Sequence, residues 1–193
     1  MKKSVCIFLL LLSFNVYAGY NSISAGSYSN RWQTTHFTVQ GYRFSTDENE
    51  LATGIAYQYG FDFGLSVGAA FSTATRDFTG TSSSFKGSIN EKHLLANVNY
   101  TFNRHGRFRP YVEAGLGFTR LGIQTDSGTG PDTTMRGINR HVGAGARLLF
   151  GRGFGISFGA KYIRFDVTGD NSADTMETAL TSYFVGMNVT FGR

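Results

Sequence analysis

Between Ile55 and Phe71 the side chains alternate with a period of two. The odd positions read Ile, Tyr, Tyr, Phe, Phe, Leu, Val, Ala and Phe, while the even positions between them read Ala, Gln, Gly, Asp, Gly, Ser, Gly and Ala. Successive side chains of a strand point to opposite faces, so this segment carries one apolar face and one small or polar face. A helix cannot display that pattern. It returns in Ala96-Val98-Tyr100-Phe102, in Val112-Ala114-Leu116-Phe118, in Val142-Ala144-Ala146-Leu148-Phe150, in Phe154-Ile156-Phe158-Ala160-Tyr162 and in Tyr183-Val185-Met187-Val189-Phe191. The chain is therefore read as all-β.

The next question is which face is the inside. In a water-soluble sheet the apolar face packs inward, whereas in a membrane barrel it faces lipid. The alternating runs are long, roughly ten to sixteen residues, against a usual strand of ~5–6. Their apolar faces end in aromatics at Phe102, Phe108, Phe150, Phe154 and Phe191, which suits an interfacial girdle. The opposite face carries Asn97, Asn99, Glu113, Arg147, Lys161 and Asn188 with many glycines, which suits a narrow polar lumen. Asp62-Phe63-Gly64 and Gly151-Arg152-Gly153 read as three-residue turns and Asn103–Arg107 as a five-residue turn. Longer connections run from Thr79 to Asn90, Thr125 to Met135 and Gly169 to Thr178. Short turns at one end and longer loops at the other are the outer-membrane arrangement. The expected spanning strands lie near 34–45, 51–61, 65–78, 89–102, 109–124, 136–150, 154–168 and 179–191. They make an eight-stranded antiparallel transmembrane β-barrel, with ten strands as the alternative. Residues 34–193 form the barrel in this reading. Tyr20–Tyr28 also reads as strand-like, which makes nine, and because such barrels have even strand counts residues 19–33 are expected to form an N-terminal segment that lies partly outside the barrel or extends its first strand.

The N-terminus reads as an export signal over residues 1–18. Lys2 and Lys3 precede the apolar run Val5–Leu12, and Val16-Tyr17-Ala18 fits a signal-peptidase site. The run falls short of the ~20 residues that a spanning helix needs. Cys6, the single cysteine, lies inside this segment, so disulfides, thiol catalysis and cysteine-bound metal are not expected in the mature chain. Without Lys2 and Lys3, 16 basic residues face 13 acidic ones. That balance is too mild to argue for nucleic-acid binding.

The stretches Gly41-Tyr42-Arg43-Phe44, Arg109–Phe118, Val142–Ala146 and Val185–Phe191 resemble the small outer-membrane barrels of the OmpA/OmpX/Ail type. The resemblance covers nearly all of the mature chain. It implies a multi-pass barrel in the bacterial outer membrane, monomeric, surrounded by lipid and lipopolysaccharide, and delivered by the barrel assembly machinery. It also implies a structural or surface-interacting role: envelope integrity, adhesion or resistance to host defences, with host surface molecules as partners. Members of the family usually end on an aromatic residue, whereas here Phe191 is followed by Gly192 and Arg193. One fold carries many activities, so two other classes stay in view: a small pore or transporter for ions or solutes, and a lipid A-modifying enzyme.

Candidate chemistry is sparse. Gly64-Leu65-Ser66-Val67-Gly68 and Gly155-Ile156-Ser157-Phe158-Gly159 match G-x-S-x-G, but that motif needs a strand-to-helix elbow, and both serines fall on alternating strands. His36, His93, His105 and His141 form no close pair, so neither a metal site nor a cofactor is expected. Glu113, Arg147 and Lys161 stand at inward parity on three successive strands. They are expected to form a lumen polar network in which Glu113 bridges the two cations, because buried charges must pair. Lys92, Arg120, Arg140 and Arg164 each stand ten residues from Phe102, Pro110, Phe150 and Phe154, and Arg76 stands eleven from Leu65. A tilted strand crosses the bilayer in ~9–11 residues. These five residues are therefore expected at the outer interface as a belt contacting lipopolysaccharide phosphates. Parity points Lys92, Arg120 and Arg140 outward and Arg76 inward, and leaves Arg164 open because the register reads as slipping near Ile163. Asp47, Glu48, Glu50, Asp126, Asp132, Asp170, Asp174 and Glu177 are assigned to the outer loops.

Overall fold

The computed structural model describes residues 19–33, 36–39, 42–46, 49–80, 86–103, 105–126, 133–151, 153–169 and 175–192. The expected signal segment, 1–18, lies outside the described residues. Ten strands form one sheet: β1 (Tyr20–Trp32), β2 (His36–Val39), β3 (Tyr42–Thr46), β4 (Asn49–Gly60), β5 (Leu65–Gly80), β6 (Lys86–Thr101), β7 (Phe108–Thr125), β8 (Thr133–Phe150), β9 (Phe154–Gly169) and β10 (Thr175–Phe191). Eight of them, β1 and β4 to β10, close into an antiparallel barrel. The ring shuts where β1 pairs β10, from Asn21 opposite Phe191 to Trp32 opposite Leu180.

The first wall strand differs from the expected one. β1 pairs β4 on one side and β10 on the other. The 34–45 region instead holds the small β2–β3 hairpin, whose β3 joins only the far end of β5, Phe44 opposite Gly80. The reason is visible in β1 itself. Its outward face runs Ile23, Ala25, Ser27, Ser29, Arg31, so its apolar signal is half as long as that of its neighbours.

The short turns follow the sequence reading. Phe61 N–H donates to Leu65 O at 2.7 Å, closing a hairpin in which Gly64 takes φ +95°. Gly151 takes φ +74° between the paired Phe150 and Phe154. Only glycine enters that region at no steric cost, so these positions set the register of both hairpins.

Along β7 the outward residues are Phe108, Val112, Ala114, Leu116 and Phe118, then Arg120 and Gln124. The inward residues are Tyr111, Glu113, Gly115, Gly117 and Thr119, then Leu121 and Ile123. The apolar face changes sides at Thr119–Arg120. On β9 it changes at Tyr162–Ile163: Phe154, Ile156, Phe158 and Tyr162 are exposed, whereas Ile163, Phe165 and Val167 are buried. There is no slip of register here, since parity is continuous and only the solvent outside has changed. Below the switch the wall faces hydrocarbon and the lumen is polar. Above it the wall faces water and the inside must be apolar.

That upper interior is a packed cluster of Trp32, Phe78, Ile89, Leu121, Ile123, Met135, Ile163, Phe165, Val167 and Leu180, with Met176 against it. Burying each of the large side chains stabilises by about 1.5–3 kcal/mol. Strands therefore continue well past the bilayer. The undescribed connections shrink to 81–85, 127–132 and 170–174, shorter than the loops expected from sequence. An apolar cluster therefore caps the outer end of the lumen, where the sequence reading expected a polar filling.

Candidate functional site

The inner-half lumen is built from residues that β-strand parity turns inward. Lys161 Nζ lies 3.0 Å from Glu113 Oε1, and both side chains are buried. Asn97 Nδ2 donates to the same carboxylate at 3.4 Å. Arg147 does not join this pair. It donates to Gln58 Oε1 and lays its guanidinium over the Tyr111 ring, 4.7 Å from the centroid. Of the two cations expected to meet Glu113, Lys161 lies beside it, and Arg147 is engaged instead by an amide and an aromatic face. Sequence spacing revealed neither Gln58 nor Tyr111, because cross-barrel neighbours have no fixed sequence offset.

The outer half holds a second charged layer, which the sequence reading did not find. Arg76 Nε lies 3.1 Å from Glu91 and 3.9 Å from Glu50, with its guanidinium 3.6 Å from the Trp32 ring centroid. Asn30 Nδ2 donates to Glu50 at 2.9 Å. His93 Nε2 stands 3.5 Å from Glu91, and its Nδ1 shares a 2.8 Å hydrogen bond with Thr119 Oγ1. Two expectations fall here. Arg76, 5% exposed, is an interior residue and not part of a lipid belt, as inward parity dictates. Glu50 is a lumen residue and not a loop acid. Thr119, His93 and Glu91 form a hydroxyl–imidazole–carboxylate chain, but all three are buried, and the cavity beside His93 is about 10 Å³.

Between these layers the free space is small. One cavity of about 40 Å³ is lined by Gln58, Tyr111, Glu113, Arg147 and Lys161, and one of about 10 Å³ lies by His93 and Ser182. Ser66 and Ser157, the two motif serines, are buried in the lumen. Ser66 faces Asn99 at 3.4 Å, and Ser157 accepts from Asn188 at 2.6 Å. His141 is also interior, and His105 sits exposed in the β6–β7 turn. Of His36 only the backbone position on β2 is described.

At the outer rim, four of the five expected belt residues do point outward. Lys92 stands directly opposite Arg120, and Arg120 opposite Arg136, a cation the spacing rule missed because it lies one inter-strand step higher on β8. Arg140 stands opposite Arg164. These two have acidic neighbours, Asp166 at 3.7 Å and Glu177. For Lys92, Arg120 and Arg136 there is no acidic partner among the described residues. Below them Phe71, Leu94 and Phe118 floor an outward-facing groove of about 230 Å³.

Residues 4–191 match the family described as outer membrane protein beta-barrel domain. No curated relative matches the sequence. Among solved structures, OprG from Pseudomonas aeruginosa is similar, with 12% identity, 93% of this chain and 99% of that chain covered, and a TM-score of 0.68. So is Neisserial surface protein A, at 13% identity, 89% and 97% coverage and 0.65. Ail of Yersinia pestis, in complex with the heparin analogue sucrose octasulfate, aligns at 20% identity, 90% and 99% coverage and 0.57. At such identities the likeness speaks for the fold.

Proposed function

The chain belongs to the outer membrane protein beta-barrel domain family and is a bacterial outer-membrane barrel. From that premise we propose that it works through its outside surface and conducts nothing through its lumen. The observation that carries this reading is the plugging of the barrel: among the described residues two charged layers and an apolar cap fill the lumen, with cavities of about 40 Å³ by Glu113 and 10 Å³ by His93, while a larger space of about 520 Å³ opens at the inner mouth by Arg109, Leu149 and Phe191. The role is structural and surface-interacting: a rigid body seated in the outer leaflet that presents its rim and loops.

The seat is the basic rim. Like charges directly opposite on neighbouring strands destabilise a sheet unless an anion lies between them. Lys92, Arg120 and Arg136 form such a row at the level where the apolar band of β6 and β7 ends. A lipopolysaccharide phosphate supplies the missing charge through charge-assisted hydrogen bonds, with acyl chain along Phe71, Leu94 and Phe118. Arg140 and Arg164, already paired with acids, contribute less. Ail has been crystallised with a polyanion; the basic row of this chain suits ligands of that charge.

The test is thermal unfolding of the refolded barrel in micelles, with lipopolysaccharide and with its enzymatically dephosphorylated form. Wild type gains stability from the phosphorylated form only. The triple variant Lys92→Ser, Arg120→Ser, Arg136→Ser loses that gain. Equal stabilisation by both forms, or no change in the variant, removes the phosphate from the account.

A further inference from the structure

The inner half of the lumen carries more positive charge than its carboxylates offset. Lys161 and Glu113 neutralise one another at 3.0 Å. Arg147, 7% exposed, is left with a neutral amide and an aromatic ring as its partners. Among the buried described residues, the other two acids, Glu50 and Glu91, sit with Arg76 in the outer layer. His93 of that layer shares a small cavity with Lys161, whereas none of Glu50, Arg76, Glu91 and His93 lines the cavity beside Arg147. A cation taken out of water needs a counter-charge close by.

The space for one is present. Arg147 and Lys161 line a single cavity of about 40 Å³, together with Glu113, the carboxylate that pairs with Lys161, and polar side chains such as Ser22, Asn97 and Asn188. A cavity of this size holds a few water-sized particles, since one water needs ~10–15 Å³ on this measure. A monatomic anion fits, and a phosphate ester or a carboxylated metabolite does not. The cation–π contacts point the same way: Tyr111 covers one face of Arg147, and the Tyr28 and Phe184 rings lie 5.7 and 5.4 Å from Lys161 Nζ. The rings help to shield the two cations from bulk water.

We propose that this cavity is a binding site for one small monovalent anion, chloride in the envelope, held between Arg147 and Lys161. The anion completes the charge balance of the inner lumen and adds to the stability of the folded barrel. The site is independent of the rim.

The test uses the whole refolded barrel. Crystals grown in sodium bromide are read for anomalous scattering. The expected result is one peak inside the barrel beside Arg147, lost in Arg147→Gln. No peak in the cavity, or a peak that survives the substitution, overturns the proposal. Thermal unfolding at constant ionic strength, with chloride replaced stepwise by gluconate, is the second measurement and needs no variant. The unfolding midpoint is expected to climb with the logarithm of chloride concentration. A midpoint indifferent to the exchange contradicts the site.

Discussion

Glu113 and Lys161 illustrate what a charge costs inside this barrel. Each is buried, and each relies on the other. Removing one partner from such a pair leaves an uncompensated charge and costs about 3–5 kcal/mol, whereas removing both costs much less. Lys161→Met is therefore expected to destabilise strongly, and Lys161→Met with Glu113→Gln to recover most of the loss, as read by urea unfolding in lipid vesicles. Equal losses in the single and double variants contradict the pairing. Arg76 faces two carboxylates at once, so Arg76→Met is expected to exceed the Lys161→Met penalty, measured in the same way. At this scale the sequence was legible where parity alone decides. Glu113, Arg147 and Lys161 were readable as interior, and so was the inward aim of Arg76. Height along the strand says nothing about facing, which is why a belt drawn by height took in Arg76. Glu50 was misplaced for a related reason: hydropathy treats an acid beside a loop as solvated and does not register that a guanidinium waits across the lumen.

The strands carry a boundary within themselves. On β7 and β9 the apolar residues face outward up to Phe118 and Tyr162, and inward from Leu121 and Ile163. The same substitution should therefore have different costs on the two sides of that level. Val142→Arg, on the lipid-facing wall of β8, is expected to cost about 2–4 kcal/mol, and Thr168→Arg, outward on β9 above the switch, about 0–1 kcal/mol. Reversible folding into vesicles measures both, and equal costs contradict the boundary. Inside the cap the sign turns again: Phe165→Ala is expected to cost about 3–5 kcal/mol although it lies beyond the bilayer. Seven wall strands were legible because their outward faces are long and uniform. β1 was legible as a strand over Tyr20–Tyr28 but not as part of the wall, because 34–45 completes a count of eight and Ser27 and Ser29 stand outward where the neighbours of β1 carry larger residues. The inversion was legible in principle from Ile163-Phe165-Val167 against Arg164-Asp166-Thr168, but a rule that apolar means outward reads it as a slip.

As a whole, the molecule is a closed ring of eight strands with three stacked contents: a basic-rich polar layer near the inner end, the Arg76–Glu50–Glu91–His93 layer, and the apolar cap above it. Each layer satisfies a different demand. The inner layer fills a lumen whose wall faces hydrocarbon. The middle layer ties β1, β4, β5 and β6 together through Asn30, Glu50, Arg76 and Glu91. The cap lets the strands stand in water above the membrane. An eight-stranded barrel is just wide enough for side chains to fill, and these fill it. The proposed function therefore rests on what the outside presents, the rim cations and the loops. The most direct test is single-channel recording of the refolded mature protein in a planar bilayer, with a heat-modifiability gel run beside it to establish that the barrel has formed. The predicted result is a folded barrel with no steady conductance. Steady, reproducible openings would contradict the plugged lumen and make transport the leading reading.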